Sequence, residues 1–325
     1  MKAVVASHYG PPEDYTVADV PVPRPGPGQL QVRIAAASIN PADIRVPGGE
    51  FRDAVPLEFP HVPGNDFAGT VSEVGAGVTA YQVGDEIFGL AVPRALRGMA
   101  GATRPSLSTG SLAEYAVFEA DTPLLAHRPA GLDVETAAAL PTTGLTARAL
   151  MATADVRPGE TVLVVGATGG VGTAVLPLLA AAGARVIATA TDADADVLRG
   201  LGANELIGYA EAGYPSGVDV ALNLTLPGDR LTGLARAVRP GGRLLTITFP
   251  VPDQAAIGRA DVGLHFVLDL EGRLGGMREV GELAASGALP ATIGRRYPLD
   301  AGVRACVDFA RRHTTGKLVV AVSTP

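Results

Sequence analysis

TVLVVGATGGVG, residues Thr161–Gly172, reads as a short buried strand that runs into a glycine-packed turn and then a helix. Val162, Leu163, Val164 and Val165 form a β-branched, apolar run bounded by Pro158-Gly159 on one side and Gly166 on the other. Thr173–Ala182 is rich in Ala and Leu and stops at Gly183, as a helix does. Between strand and helix, Gly166, Gly169, Gly170 and Gly172 leave backbone N–H groups uncovered at the positive end of a helix. A diphosphate can approach such a turn closely and be held by amides and the helix dipole. A second strand at Arg185–Ala190 completes the context in which a glycine turn reads as a dinucleotide fingerprint. Pro177 conflicts with this reading, because it removes a backbone bond inside the helix, and a kink or an early 3₁₀ turn is expected there.

Outward from this stretch the pattern alternates. From Asp133 onward, helices at Val134–Leu140, Gly144–Met151, Ala193–Gly200 and Arg230–Val238 are interleaved with strands. The strands are Val162–Val165, Val186–Ala190, Glu205–Ile207, Val218–Asn223, Arg243–Thr248 and His265–Leu270. Crossovers of this length make a doubly wound parallel sheet, an α/β Rossmann architecture. The first third is different. Ala3–Ala6, Leu30–Ala37, Asp66–Val74 and Glu86–Gly89 are short strands separated by Pro- and Gly-rich turns, as in a mostly β, partly open barrel. Helices at Met277–Ala285 and Ala301–His313 and a final strand, Lys317–Val322, return to complete that first domain. The expected division is therefore 1–123 completed by 270–325 for the catalytic domain and 124–269 for the dinucleotide-binding domain, with a cleft at the carboxyl ends of the sheet strands.

Composition narrows the function classes. Hydrophobic residues make up 47% and charged residues 18% of the 325, which suits a well-buried globular chain. A net charge of −7 disfavours nucleic acid and anionic membranes as partners. The single cysteine, Cys306, rules out an internal disulfide and a Cys-rich zinc site, and its helix reads as core packing. The N-terminus has too short an apolar run for a signal peptide, and Val171–Ala184 is too short to span a membrane. A cytoplasmic, soluble chain is expected.

The motifs in order resemble the medium-chain dehydrogenase/reductase superfamily, and within it the zinc-free quinone oxidoreductase group. They are Asn40-Pro41-Ala42-Asp43, Pro63–Gly69, Gly84–Gly89, Leu140–Ala147, the fingerprint Gly166–Gly172, Leu201-Gly202-Ala203 and Gly316–Val320. The resemblance implies a GroES-like mostly β catalytic domain beside the Rossmann domain, with hydride transfer as the chemistry. The family's zinc enzymes carry Cys, His and Cys where this chain has Asn40, Asn65 and a position near Ala139, and amides and a methyl group are not zinc ligands. The four-cysteine lobe is replaced by Leu90–Gly110, which has no cysteine. A metal-free enzyme is expected, in which fixed hydrogen-bond donors stabilise charge on a carbonyl oxygen.

For catalysis the resemblance nominates Asn40 and Arg45. Asn40 either orients nicotinamide ribose or substrate, or caps the turn before Pro41. Arg45 stands where related reductases carry Tyr or Lys, and it either stabilises an enolate or is a solvated loop residue. Asp43 is expected to be structural, with Asn65 and Asp66 on the same floor. For the cofactor it nominates Thr143, Gly166, Ala167, Thr168, Gly169, Gly170, Val171, Gly172, Thr191, Tyr209, Asn223 and Thr246, although Thr143 also reads as a helix N-cap. NADPH is favoured because Ala190 replaces the acid that would bind the adenosine ribose. NADH stays open, because Ala195 replaces the usual phosphate-binding Lys, Asp192, Asp194 and Asp196 are adjacent, and the nearest bases are Arg185 and Arg199.

The resulting expectation is a reductase that delivers hydride to a quinone or to an α,β-unsaturated carbonyl compound. Two alternatives stand beside it. One is an enoyl-thioester reductase using Arg94, Arg97 and Arg104 to meet CoA or a carrier protein; the other is a cofactor-binding sensor or structural protein with little catalysis. The substrate is a small molecule, and a homodimer through the edge strand is expected, since an unpaired apolar edge invites aggregation.

Overall fold

A computed structural model of the chain describes residues 1–54, 56–100, 103–210 and 213–323. The chain divides into two compact units, one made of 1–145, 270–287 and 293–325, the other of 146–269 and 288–292.

The second unit is a six-stranded parallel sheet. Its spatial order is Glu205–Ile207, Arg185–Thr189, Thr161–Val165, Val218–Asn223, Val238–Thr246 and Gly263–Phe266. Strand order reverses beside Thr161–Val165, where the chain leaves one half of the sheet and returns to start the other. Val162, Leu163 and Val164 are fully buried, which explains an uninterrupted apolar run instead of alternation. Leu163, Val165, Ala221, Leu234 and Leu244 pack into one core. The helix after the glycine turn runs Gly170–Ala181 and passes through Pro177 as continuous α-helix, so the expected 3₁₀ turn does not form. Val175, Leu176 and Leu179 are fully buried around that proline, and their packing holds the helical course.

The first unit is built around Gln29–Ser38, a ten-residue strand paired along its length with three others. Asp66–Val74 and Tyr115–Glu119 flank it, and Lys317–Ala321 pairs antiparallel with its carboxyl end. Phe67 stacks on Phe118 with ring centroids 3.9 Å apart, within a core that also holds Leu30, Val32, Ile34 and Leu318. Ile293–Pro298, an edge strand that periodicity did not disclose, pairs parallel with Lys317–Ala321.

The first boundary lies between Leu145 and Thr146, inside the helix Pro141–Ala154, and not at 123/124. The reason is the helix Val134–Ala139, whose three consecutive alanines are fully buried against Gln29–Ser38 and Asp66–Val74. Among the described residues no helix is long and apolar enough to cross a membrane.

Candidate functional site

In the second unit the glycines divide into two physical types. Gly166 has φ +92°, and a Cβ there would lie 3.1 Å from Thr225 Cβ; its N–H donates to Thr189 Oγ1 at 2.9 Å. Gly172 lies so close to the preceding turn that a Cβ would sit 2.3 Å from the Ala167 carbonyl oxygen. The protein itself requires glycine at both places. Gly169, the N-cap of the helix, is different: the nearest atom to an added Cβ is the Gly166 oxygen at 3.6 Å. Gly169 therefore keeps open the approach to the amides of a twelve-residue helix. The turn Gly166, Ala167, Thr168, Gly169, Gly170, Val171 and Gly172 has the chemistry to hold a dinucleotide diphosphate.

Beside the turn, Thr168 Oγ1 and Tyr209 Oη are 2.9 Å apart, which ties the glycine turn to the segment after Glu205–Ile207. Tyr209 is 41% exposed, and burial of its remainder raises the phenol pKa. Thr191 Oγ1 donates to Asp194, whose carboxylate also accepts the Thr191 N–H at 3.3 Å and is buried. Asp194 thus closes its own turn, leaving Asp192 and Asp196 exposed. Arg185 opens its strand at the end opposite the glycine turn and pairs with Glu205 at 2.8 Å.

Asn223 and Thr246 are fully buried. Asn223 Nδ2, with two protons, lies 2.8–2.9 Å from three acceptors, Leu226 O, Thr246 Oγ1 and Thr248 Oγ1, and its Oδ1 accepts the Leu226 N–H at 2.9 Å. The two side chains shape the loop after Val218–Asn223.

In the first unit the candidates gather on a buried polar cluster. Asn40 is the N-cap of the short helix Pro41–Arg45, and Asp43 Oδ2 reaches back to accept the Asn40 backbone N–H at 2.7 Å, as in a capping box. Asn40 Oδ1 accepts from Lys317 Nζ at 2.6 Å, and its Nδ2 lies 3.4 Å from Ser38 O. Register explains the contact: Val319 pairs with Ser38, and Ile39 N–H donates to Leu318 O, so the next step along both chains brings Lys317 to Asn40.

Asp66, fully buried, pairs across the sheet with Ser38. Its Oδ2 accepts from Ser38 Oγ and Lys317 Nζ, each at 3.2 Å, and its Oδ1 accepts from Thr142 N–H and Thr142 Oγ1. Asp43 Oδ1 accepts the Gly64 N–H at 3.1 Å. Burial, with the Asp66 charge nearby, pushes the Asp43 carboxyl up to about 7, against the pull of the Asn40 and Gly64 amides and Lys317. Thr143 is inside the helix Pro141–Ala154 and not at its N-cap; its hydroxyl donates to Ala139 O at 2.9 Å. Arg45 donates through Nε and Nη2 to Glu50 in an exposed ion pair at the end of the helix Pro41–Arg45, and its guanidinium lies over the Phe51 ring at 5.8 Å.

Lys317 was visible in the sequence only as part of a terminal motif. The signal that could have singled it out is scarcity: Lys2 and Lys317 are the only lysines in a chain that otherwise uses Arg. An ammonium presents three donors at one point, which suits three converging acceptors better than a planar fork. Of the arginines of the thioester alternative, Arg97 pairs with Glu119 and Arg104 with Asp121. Among the described residues no group of three or more His, Cys, Asp or Glu is placed to hold a metal ion.

Residues 26–129 match the profile of the alcohol dehydrogenase GroES-like domain, and 201–320 match that of the zinc-binding dehydrogenases. A quinone oxidoreductase of Rattus norvegicus is 30% identical over 98% of this chain and 96% of its own length. An NADPH-dependent alkenal/one oxidoreductase, chloroplastic, of Arabidopsis thaliana is 29% identical over 98% of this chain and 79% of its own. A mycobacterial structure complexed with NADPH superposes with a TM-score of 0.84 at 28% identity, covering 99% of this chain and 100% of that one.

Proposed function

The chain belongs to the quinone oxidoreductase group of the medium-chain dehydrogenase/reductase superfamily, and from that membership we propose that it is a zinc-independent, NADPH-dependent reductase of quinones or α,β-unsaturated carbonyl compounds. It is an oxidoreductase, and the relatives' names supply the substrate class. The observation that carries the reading is the Lys317 ammonium on Asn40 Oδ1 at 2.6 Å. Asn40, Asn65 and a position near Ala139 stand where the family's zinc enzymes carry their ligands; amides and a methyl group are not zinc ligands, and the Asn40 oxygen is already taken by the ammonium.

The second unit binds the cofactor in this proposal. The glycine turn takes the diphosphate, Thr168 and Tyr209 flank the adenosine end, and Asn223 and Thr246 hold the neighbouring loop in shape. Thr191 is kept by Asp194 in the turn after the second strand. NADPH is preferred because Ala190 puts no carboxylate where a 2′-phosphate would sit and Asp194 is spent on its own turn.

Bound nicotinamide supplies the hydride. The first unit supplies what receives its consequence: adding hydride to a conjugated carbonyl places negative charge on oxygen, and the Asn40 side-chain Nδ2–H is the donor assigned to it. Arg45 has its charge compensated by Glu50 and supplies no proton. Thr143 lies one residue beyond the Asp66 anchor, in the family's nicotinamide-contacting position.

The test is NADPH oxidation, followed by absorbance, with quinones, enones and enoyl thioesters, with and without a zinc chelator. Turnover of quinones or enones that survives chelation is expected. Turnover of thioesters alone, or loss on chelation, overturns the reading, and cofactor binding without turnover points to a sensor. A homodimer through Gly263–Phe266 is part of the proposal, checked by sedimentation mass.

A further inference from the structure

We propose that Lys317 is a positioning residue for the reduction: its ammonium fixes which way the Asn40 carboxamide faces, so that Asn40 presents N–H and not C=O to a ligand. The inference rests on the proposed role of Asn40 as donor to the substrate oxygen.

An asparagine amide is nearly symmetric in shape, and its two orientations differ only in which end donates. A hydrogen-bond donor on the substrate side needs that choice settled before the substrate arrives. Lys317 Nζ has three protons and three acceptors, Ile39 O at 2.9 Å, Asn40 Oδ1 at 2.6 Å and Asp66 Oδ2 at 3.2 Å. An ammonium accepts nothing, so the Asn40 atom facing it must be oxygen. The flipped amide would bring an N–H against a buried cation, Lys317 being only 6% exposed. Asn40 Nδ2 is thereby turned away from Lys317, with one long contact to Ser38 O at 3.4 Å. Among the described residues nothing accepts its second N–H. Asp66 balances the Lys317 charge and is itself held by Ser38 and Thr142, so the cation cannot shift to follow a flipped amide.

The experiment is a double-mutant cycle on kcat, with cofactor Kd measured throughout. Lys317→Met is combined with Asp66→Asn so that no carboxylate is left buried alone. The cycle is run with and without Asn40→Ala. The expected result is that Lys317→Met/Asp66→Asn lowers kcat about tenfold, that Asn40→Ala lowers it at least as much, and that the combination is no worse than Asn40→Ala. Cofactor Kd stays within about twofold. Additive losses overturn the proposal, because Lys317 would then act independently of Asn40. So does full activity in Lys317→Met/Asp66→Asn while Asn40→Ala is impaired. Full activity in Asn40→Ala instead sinks the reading of Asn40 beneath it. If the Met/Asn protein does not fold, Lys317→Gln, whose neutral amide tolerates either orientation of Asn40, takes its place in the same cycle. Asn40→Asp gives a further readout: it keeps an oxygen toward Lys317 but removes the donor, and is expected to match Asn40→Ala.

Discussion

The Asp66 carboxylate accepts both the backbone N–H and the hydroxyl of Thr142, at 3.1 and 2.7 Å. Two motifs 76 residues apart are thereby clamped at the first turn of the helix that carries Thr143. With Ser38 and Lys317 on its other oxygen, Asp66 has no replaceable partner. Asp66→Asn would leave the Lys317 ammonium without its counter-charge and exchange one acceptor for an N–H₂. Breaking a buried pair by removing one partner costs about 3–5 kcal/mol, and that loss is expected in urea-induced unfolding. A cost below about 1 kcal/mol would mean that the cluster is solvated.

Gly169 and Gly172 separate the needs of the fold from those of the ligand. Gly172→Ala drives a Cβ to 2.3 Å from the Ala167 carbonyl oxygen, a backbone atom that cannot yield cheaply. It is expected to lower stability by about 1–3 kcal/mol and to weaken cofactor binding with it. Gly169→Ala meets only the Gly166 oxygen at 3.6 Å, with φ −72°, which alanine adopts freely. Its melting temperature should stay within a few degrees of the parent while NADPH affinity falls at least tenfold. Calorimetry and fluorescence titration read the two quantities, and unchanged affinity in Gly169→Ala would remove the diphosphate from this turn.

What the sequence disclosed follows from periodicity and local chemistry. The parallel sheet was legible because its central strands are buried on both faces and so read as unbroken apolar runs. The glycine turn was legible because its constraints are local. Ile293–Pro298 was not, since its two arginines stand side by side, only Tyr297 is buried, and it lies at an edge. The site was half legible: Asn40 and Asp66 stand in recognisable motifs, but their junction depends on the register of Lys317–Ala321 against Gln29–Ser38, a pairing of residues nearly 280 apart. No local pattern encodes such a register. The same limit hid the fate of Asn223 and Thr246, whose polar atoms turn out to satisfy each other and the next loop.

Thr168 and Tyr209 give a test of the adenosine end. Tyr209→Phe removes the 2.9 Å contact to Thr168 but little packing, because the ring is 41% exposed. A single lost hydrogen bond of this kind is worth about 0.5–1.5 kcal/mol, so stability should fall by no more than that, and NADPH Kd should rise by about tenfold at most as the turn loosens. Measuring NADH in parallel shows whether the phenol discriminates between cofactors. An equal rise for both assigns Tyr209 to shaping the turn, and a rise for NADPH alone assigns it to the 2′-phosphate.

His61 and Asp43 tilt stability in opposite directions across acidic pH. Burial lowers the His61 pKa from 6.5 to about 4, and its Nε2 is buried without a hydrogen-bond partner. The unfolded chain therefore binds a proton that the folded chain refuses between those values. Stability falls as pH drops from about 6.5 to about 4, by about 3 kcal/mol in all. Asp43 does the reverse. Its carboxyl, raised from 3.8 to about 7, stays protonated in the folded chain over a range where the unfolded chain has released the proton, so its contribution falls as pH rises through that window. The sum in the parent is a shallow profile. His61→Phe should expose the Asp43 slope, with stability declining from pH 4 to 7, and Asp43→Asn should expose the His61 slope, with stability rising over the same interval. Chemical denaturation at each pH reads both. Parallel profiles for the two variants would show that neither group titrates as its surroundings dictate.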